Sequence, residues 1–235
     1  MTDLQGAVVL VTGANGGLGI EFVNQALERG ARRVYATART PRQWDDERVV
    51  PLALDVTDEA SVAAAAAAAP DTTVVVNNAG VSGRQSLLTV PLAEVRATYE
   101  TNVFGALAVA QAFAPVLASN GGGALVDIHS ALSWLAKSGA YSSSKAALWQ
   151  ITNSLRLDLA GQKTHVLGAH LGYTDTPMTQ ALTVEKEDPR DIVAAIYDGL
   201  EAGALEVLAD KTSRDIKENL SGPVEALYPE LTATV

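Results

Sequence analysis

Seven short apolar runs, rich in β-branched residues, recur along the 235-residue chain and are separated by longer segments of helical pattern. The length and composition of these runs predict β-strands. The predicted strands span residues 7–12, 33–37, 50–54, 73–77, 124–128, 165–170 and 205–208. Because apolar residues fill the runs without strict alternation, both faces of each strand should be buried, as in a parallel sheet.

The intervening segments predict helices at residues 17–29, 59–69, 92–118, 141–160, 189–201 and 210–220. Strands that alternate with helices predict a parallel sheet with helices on both faces, connected by right-handed crossovers. The predicted fold class is therefore α/β, a single-domain Rossmann-type doubly wound parallel sheet of about seven strands. Residues 1–235 are expected to form that one domain.

Composition and charge narrow the possible functions. Charged residues make up 19% of the chain and apolar residues 48%, which is typical of a globular protein. A net charge of -10 argues against general binding to nucleic acid or to a membrane surface. The absence of cysteine excludes disulfides, thiolate chemistry and cysteine-ligated zinc, and we predict no metal site. Since no secretory pattern and no membrane-length apolar run is found, we expect a cytoplasmic protein.

A glycine-rich segment follows the first predicted strand, with Gly13, Gly17 and Gly19 in the spacing TGxxxGxG at the start of a helical pattern. Without side chains, this turn lets a phosphate reach free backbone amides and the positive end of the helix dipole. It therefore predicts a pyrophosphate site, and a tight turn that merely needs glycine is the alternative. The segment lacks the lysine of a P-loop, which argues against an ATPase.

A second segment, Tyr141 to Lys145, has the spacing YxxxK inside a predicted helix. Residues four apart share one helix face, so the ammonium can lie close to the phenol. We expect this positive charge to lower the pKa of Tyr141 from its ordinary value near ~10, which suits a general acid. A Tyr and a Lys on an exposed helix face without any function are the alternative.

These two segments and three others, in the same order, resemble the motifs of the short-chain dehydrogenase/reductase (SDR) family. The others are an NNAG at residues 77–80, the pair Asp55 and Val56, and Asn102 on the long predicted helix. The resemblance covers residues 8–178. It implies a catalytic quartet of Asn102, Ser130, Tyr141 and Lys145. The cofactor-binding residues that it implies are Gly13, Asn15, Gly17, Leu18, Gly19, Arg39, Asp55, Val56, Asn78, Ala79, Gly80, Tyr141, Lys145, Gly172, Thr174 and Thr176.

The resemblance also implies a mechanism for the reversible reduction of a ketone or aldehyde to an alcohol. A nicotinamide supplies the hydride, and Tyr141 gives its proton to the carbonyl oxygen while Ser130 donates a second hydrogen bond. Lys145 holds the nicotinamide ribose and keeps the phenol acidic. Asn102 holds a water that connects Lys145 to solvent.

The chain departs from the family pattern at two places. The interval from Ser130 to Tyr141 is two residues shorter than is usual in the family, which leaves Ser133 as a rival candidate for the catalytic serine. Ser130 is favoured because it follows a predicted strand almost directly. The family's Pro-Gly after the sixth strand is here Leu171 and Gly172. Losing the proline removes a rigid turn, so the conformation of that loop is left open.

The end of the second predicted strand indicates which dinucleotide is used. NAD enzymes place an acidic residue there to hold the ribose hydroxyls, whereas NADP enzymes supply an arginine. Ala38 occupies the acidic position and Arg39 follows it. We therefore predict NADP(H) as the cofactor, with NAD(H) less favoured. Arg42 is a second candidate for the same role, and an arginine that merely opens a loop is the alternative.

By resemblance, the substrate pocket is formed by Trp134, Leu135, Tyr173 and Met178, with residues 173–190 as a candidate flap. These side chains are mostly apolar and favour a hydrophobic ketone or secondary alcohol as the small-molecule substrate. Arg84 or Lys137 could instead anchor a carboxylate. The identity and stereochemistry of the substrate and the physiological direction are left open.

Other functions remain open at this point. A protein that binds NADP as a sensor without turnover, and an isomerase or dehydratase on the same scaffold, are the alternatives. The three histidines raise the alternatives of a hydrolase or a metal site. His129 should point away from the Ser130 hydroxyl, because successive strand residues face opposite sides. His165 and His170 are predicted to be packing or surface residues. Trp149 and Leu155 are predicted as core or subunit contacts. By resemblance, we expect a homodimer or homotetramer.

Overall fold

A seven-stranded parallel sheet forms the centre of the protein. The structure, a computed structural model, describes residues 2–83 and 85–231. The strands are β1 Val8–Thr12, β2 Arg33–Ala38, β3 Val49–Ala53, β4 Val74–Asn77, β5 Gly123–Ile128, β6 Thr164–His170 and β7 Glu206–Leu208. The predicted fold is confirmed, and every predicted strand boundary lies within one residue of the observed one.

The sheet has the strand order β3-β2-β1-β4-β5-β6-β7. All six neighbouring pairs are parallel, so the carboxyl ends of all strands lie along one edge. The chain moves outward from β1 in one direction through β2 and β3, and then returns to start β4 on the other side of β1. A crevice opens where the direction reverses, and ligands of open α/β sheets bind at such a crevice.

Helices cover both faces of the sheet. The described residues form α1 Leu18–Glu28, α2 Glu59–Ala68, α3 Leu92–Tyr99, α4 Ala106–Ser119, α5 Gly139–Asp158, α6 Pro189–Glu201, α7 Lys211–Asn219 and α8 Val224–Leu227. One apolar core contains buried residues of α1 and α6. A second core, on the opposite face, contains buried residues of α2 and α4. The starts of α2, α6 and α7 are capped by a side chain, as where the Asp188 side chain accepts a hydrogen bond from the Arg190 N–H.

The long helix predicted over residues 92–118 is interrupted in its middle. A π-helical turn, Glu100–Gly105, separates α3 from α4. Such a turn inserts one extra residue and often marks a functional site. Together, Leu92–Ser119 is long and apolar enough to cross a membrane by length and composition, which the sequence analysis did not anticipate. In the fold, the apolar residues Val109, Phe113 and Leu117 of α4 are buried in the core.

Candidate active site

A cavity of about 550 Å³ opens at the carboxyl ends of the strands, beside the crevice between β1 and β4. This volume is typical of a small-molecule site. The predicted catalytic, cofactor-binding and substrate-pocket residues that line it are Gly13, Gly17, Leu18, Asn78, Ala79, Gly80, Ser130, Leu135, Tyr141, Lys145, Gly172, Tyr173, Thr174, Thr176 and Met178. The residues of these predicted sets that lie outside the lining are Asn15, Gly19, Arg39, Asp55, Val56, Asn102 and Trp134.

The glycine turn after β1 provides a site for an anion. Gly17 precedes α1 with φ 52° and ψ -132°, a backbone conformation that side chains disfavour. No side chain caps this helix start, and Gly17 and Leu18 line the cavity there, while the Gly19 N–H donates to the Gly16 carbonyl oxygen at 3.0 Å. Gly19 serves packing instead, because a Cβ there would lie 2.2 Å from the Gly13 carbonyl oxygen. The turn could therefore hold a pyrophosphate, while Gly19 allows the start of α1 to pack closely against Gly13.

Asn78 and Thr12 join the glycine turn to the end of β4. The Asn78 side-chain amide donates to the carbonyl oxygens of Thr12 at 2.9 Å and Gly13 at 3.3 Å. In return, the Thr12 hydroxyl accepts from the backbone N–H groups of Asn78 and Ala79 at 3.0 and 2.9 Å. These bonds fix both walls of the crevice at the point where β1 and β4 diverge.

Ser130 lies in the cavity wall, directly after β5. It caps a 3₁₀ turn, Ala131–Ser133, and its hydroxyl accepts from the Leu132 N–H at 3.1 Å. Ser133 closes the same turn from behind, where its hydroxyl accepts from the Ser130 N–H at 3.4 Å. Ser130 lines the cavity and Ser133 does not. The geometry therefore favours Ser130 over its rival as the serine that meets a ligand.

Tyr141 stands half-buried in the first turn of α5 and faces the cavity. Burial raises the pKa of Tyr141, and the hydrogen bond with the neighbouring Ser130 hydroxyl opposes that shift. The prediction that Lys145 lowers the pKa of Tyr141 is wrong for this structure. The Lys145 ammonium lies 5.9 Å from the centre of the phenol ring, and burial of the phenol, not the charge of Lys145, sets the direction of the pKa shift.

Lys145 is buried one helical turn after Tyr141. Its ammonium donates to the Ile128 carbonyl oxygen at 2.7 Å. Burial lowers the pKa of Lys145 to about 8, and the negative charge of Asp127 partly opposes that shift. The lysine therefore changes its charge close to neutral pH, unlike an exposed lysine.

Asn102 lies behind the cavity wall on the π-helical turn. Its side chain exchanges two hydrogen bonds with the backbone of Val81, at 2.8 and 2.9 Å, and donates to the Ser144 hydroxyl at 3.0 Å. A Cβ on Gly80 would lie 3.3 Å from the Asn102 oxygen and 3.8 Å from the Lys145 nitrogen. The π-helical turn thus brings Asn102 close to Lys145, although it does not open into the cavity.

A neighbouring group of residues extends the site past the end of β2. The Asn15 amide donates to the Thr40 carbonyl oxygen at 2.7 Å and accepts from the Arg42 N–H at 3.1 Å. Through these bonds the glycine turn holds the loop that carries Arg39, which is exposed. Hydrogen bonds from Thr57, together with the positive charge of Arg39, lower the pKa of Asp55. This group forms an exposed shelf beyond the cavity.

Val56, the neighbour of Asp55, is packed against the π-helical turn. A Cβ on Gly105 would lie 2.8 Å from a Val56 methyl carbon. This close packing explains why Val56 does not line the cavity. Asp55 therefore belongs to the exposed shelf, while its neighbour Val56 packs against the π-helical turn.

The loop after β6 is held in place without the family's proline. The Leu171 carbonyl oxygen accepts from the Ala131 N–H at 2.8 Å, and the Gly172 N–H donates to the carboxylate of Asp210. Further along, Thr176 begins a 3₁₀ turn, and its side chain lies 3.3 Å from where a Cβ on Gly17 would be. The loop therefore folds back onto the glycine turn.

The apolar half of the cavity differs from the prediction at Trp134 and by three further residues. Leu135, Tyr173 and Met178 line it, but Trp134 does not. Trp134 is only 7% exposed, because its indole turns inward and stacks on the His170 ring at 3.9 Å. This wall also contains Leu132, Thr212 and Ile216, which no sequence motif predicted. Thr212 and Ile216 lie four apart on α7, a spacing that the predicted helix contained but no motif marked.

His129 lines the cavity, whereas His165 and His170 do not. His165 bonds the Ala204 carbonyl oxygen at 2.7 Å, far from Ser130. Neither ring nitrogen of the buried His129 has a hydrogen-bond partner among the described residues. His170 is fully buried and touches the Ser130 backbone, which the sequence did not reveal. Within residues 2–83 and 85–231, no group of three or more possible metal ligands is present.

Comparison with known proteins gives consistent matches. The short chain dehydrogenase family model matches residues 7–187. A 2-(R)-hydroxypropyl-CoM dehydrogenase from Xanthobacter autotrophicus is 33% identical, with 86% of this chain and 88% of the relative covered. A 1-deoxy-11-beta-hydroxypentalenate dehydrogenase from Streptomyces exfoliatus is 30% identical over 98% of this chain and 97% of its own. A crystal structure of a short chain dehydrogenase from Burkholderia cenocepacia in complex with NADP has a TM-score of 0.91 and 37% identity, covering 97% of this chain and 99% of that chain.

Proposed function

The chain belongs to the short-chain dehydrogenase family of oxidoreductases, and from that premise we propose that it is an NADPH-dependent carbonyl reductase. It reduces a ketone or aldehyde to an alcohol and also catalyses the reverse reaction. One observation carries the proposal: Ser130, Tyr141 and Lys145 line the same cavity as the uncapped start of α1. A proton donor and an anion site thus share one chamber, as carbonyl reduction by a dinucleotide requires.

The residues of the cavity fit a nicotinamide dinucleotide. When bound, that cofactor supplies the hydride. The glycine turn and the first amides of α1 bind its pyrophosphate, and Lys145 holds the nicotinamide ribose. The loop from Gly172 to Thr176 positions the nicotinamide ring, and the exposed shelf with Arg39 holds the adenosine end.

Side chains of this protein donate the proton and stabilise the negative charge that develops on the carbonyl oxygen. The Tyr141 hydroxyl donates its proton to the carbonyl oxygen, where negative charge grows during reduction. The Ser130 hydroxyl donates a hydrogen bond to the same oxygen and so stabilises the transition state. Because burial raises the pKa of Tyr141, the phenol keeps its proton at neutral pH and is ready to act as the acid. Asn102 holds the Val81 segment beside Lys145 and, as we propose, the water that reconnects this lysine to solvent.

The walls of the cavity favour a hydrophobic carbonyl compound as substrate. Its apolar half consists of Leu132, Leu135, Tyr173, Met178 and Ile216. Residues 173–190 act as the flap over this half. The backbones of Tyr173 and Asp175 bond that of Glu187 at 2.8 and 2.9 Å, which closes the flap into one unit. Lys137, at the rim, lies 3.8 Å from Glu230 rather than standing as an isolated cation.

A direct assay tests the function. Purified protein is mixed with NADPH and a panel of hydrophobic ketones and aldehydes, and the absorbance of the reduced nicotinamide is followed. Substrate-dependent oxidation of NADPH is the expected result. Tight NADPH binding without turnover across the panel would favour a sensor instead, and conversion of substrate without net loss of NADPH would favour an isomerase or dehydratase.

The charge of Lys145 sets an expected pH dependence. The ammonium is needed to hold the ribose, and its pKa is lowered to about 8. As the pH rises through that value the proton is lost, so kcat/KM for carbonyl reduction should fall by about tenfold per pH unit above it. Lys145→Arg, whose guanidinium stays charged, should be slower at neutral pH but lose this alkaline limb. A wild-type profile that is level from pH ~7 to ~10 would contradict this role.

The outer faces of the π-helical turn and α5 support assembly into a homodimer or homotetramer. Phe104 is 52% exposed and Leu157 80% exposed, and a monomer seldom leaves such large apolar side chains in water on adjoining elements. Phe104→Glu should therefore reduce the mass measured by light scattering during size-exclusion chromatography to that of one chain. Leu205→Glu, at a similarly exposed leucine (55%) before β7, is the matched control and should leave the mass unchanged. A wild-type protein of monomer mass would refute the assembly.

A further inference from the structure

His170 ends β6 and is completely buried, although no step of the proposed reaction uses it. Its Nδ1 lies 3.2 Å from the Ser130 carbonyl oxygen. A carbonyl oxygen can only accept a hydrogen bond, so this contact requires the proton on Nδ1. Nε2 has no hydrogen-bond partner among the described residues, since the nearest carboxylate oxygen, Glu206 Oε1, lies 3.6 Å away. Burial lowers the pKa of His170 to about 4, so the ring is neutral at physiological pH. The contact is therefore a neutral Nδ1–H group that donates to the backbone of Ser130.

The imidazole is fixed in this orientation by a stack of rings. Trp134 lies parallel to it, with ring centres 3.9 Å apart and planes 19° apart. On the other side, His129 lies 4.7 Å away. The ammonium of Lys217 lies 4.6 Å from the Trp134 ring centre and is itself paired with Glu206 at 2.9 Å. The stack reaches from α7 to the end of β5, so the ring of His170 has little freedom to rotate.

The stack lies beside the segment between Ser130 and Tyr141, which is two residues shorter than the family pattern. In this segment Trp134 turns inward, and its indole supplies the flat surface against which His170 rests. The Ser130 carbonyl oxygen already accepts from the Ser133 N–H at 2.9 Å. The donor from His170 comes from a different strand and adds a second restraint on the direction of that peptide.

We propose that His170 is a positioning residue that orients Ser130 toward the substrate carbonyl through its Nδ1–H hydrogen bond to the Ser130 backbone. This inference rests on the proposed carbonyl reductase activity. The hydroxyl of Ser130 must point at the oxygen where charge develops, and a small rotation of its peptide would weaken that bond in the transition state. The effect therefore falls on kcat more than on the KM for NADPH.

Two substitutions separate a positioning role from a packing role, because the two roles predict opposite rankings of kcat for the two variants. His170→Phe keeps a ring to stack on Trp134 but lacks the donor, whereas His170→Asn keeps an N–H near the place of Nδ1 but loses the ring. If His170 positions Ser130, kcat should fall about tenfold in His170→Phe and less in His170→Asn, with the KM for NADPH unchanged in both. If it serves packing alone, His170→Asn should be the slower and the less heat-stable variant, and that order would overturn the proposal.

The tautomer of His170 gives a readout on the wild-type protein that needs no turnover. Long-range ¹H–¹⁵N correlation spectra of the wild-type full chain, assigned through His170→Asn, should show a neutral ring with its proton on Nδ1. A ring protonated on Nε2, or a charged ring at neutral pH, would refute the inference even in a protein that folds and turns over normally. Absence of turnover in the wild type would refute the proposed function, and the tautomer would still decide whether His170 holds Ser130.

Discussion

Tyr141→Phe should reduce carbonyl turnover by about three orders of magnitude, while the affinity for NADPH remains within about twofold of the wild type. The change removes only the hydroxyl that we propose as the proton donor and leaves the ring half-buried in the wall of the cavity. A thousandfold loss corresponds to about 4 kcal/mol of transition-state stabilisation, which is within the range of a positioned general acid. Steady-state kinetics for turnover and quenching of protein fluorescence for NADPH binding measure the two effects separately.

The matched control is Tyr35→Phe. Tyr35 lies on β2, far from the cavity, and its hydroxyl donates to Asp71 at 2.8 Å. This variant also loses one phenol hydroxyl, but its kcat should stay close to that of the wild type. Equal activity of Tyr141→Phe and the wild type would remove Tyr141 from the chemistry. Parallel loss of turnover and NADPH binding would instead indicate damage to the cavity as a whole.

The raised pKa of Tyr141 also predicts different pH optima for carbonyl reduction and for alcohol oxidation. Reduction needs the protonated phenol, which burial stabilises at neutral pH. Oxidation of an alcohol needs the phenolate as the base, and that form becomes more populated as the pH rises. The optimum for alcohol oxidation should therefore lie at a higher pH than the optimum for carbonyl reduction.

The strands and the glycine turn could be predicted from sequence because both depend on local patterns. Strand length follows from uninterrupted apolar runs, and the turn follows from glycine spacing. The π-helical turn at Glu100–Gly105 could not, since one inserted residue barely alters the apolar pattern of a long helix. It nevertheless decides where Asn102 lies, because that side chain stands on the inserted turn.

Two features of the site depended on partners distant in sequence. Trp134 was predicted in the substrate pocket, but His170 and Lys217, which lie far along the chain, draw the indole into the interior. The direction of the pKa shift of Tyr141 depended on the burial of the phenol, which four-residue spacing from Lys145 does not reveal. Both errors arose because side-chain direction and desolvation are properties of tertiary packing.

We propose that the choice between NADPH and NADH depends on the exposed shelf beside the glycine turn. Arg39 follows β2 there, on a loop that Asn15 ties to the cofactor site. A guanidinium can pair with a 2′-phosphate through two charge-assisted hydrogen bonds, whereas NADH offers only a hydroxyl at this place. On a chain of net charge -10, such a local cation is also what keeps a doubly charged phosphate from being repelled.

Arg39→Asp should therefore lower the ratio of kcat/KM for NADPH to kcat/KM for NADH by about 100-fold. The loss of two charge-assisted bonds accounts for roughly 3 kcal/mol, and each 1.4 kcal/mol corresponds to a factor of ten. The new carboxylate can in addition accept bonds from the ribose hydroxyls of NADH, so part of the change should be a gain with NADH. Both efficiencies are measured with one carbonyl substrate under identical conditions.

Arg96→Asp is the control for net charge, because it makes the same change at an exposed position on α3, away from the shelf. That variant should keep the wild-type ratio. Arg42→Asp tests whether Arg42 shares the phosphate contact with Arg39. The Arg42 guanidinium lies 4.8 Å from the Trp44 ring centre, so we expect a smaller effect there. A larger effect at Arg42 than at Arg39 would transfer the phosphate contact to Arg42. Equal kcat/KM values for NADH and NADPH in the wild-type enzyme would refute the preference. A contact between Arg39 and the 2′-phosphate would then contribute nothing to cofactor choice.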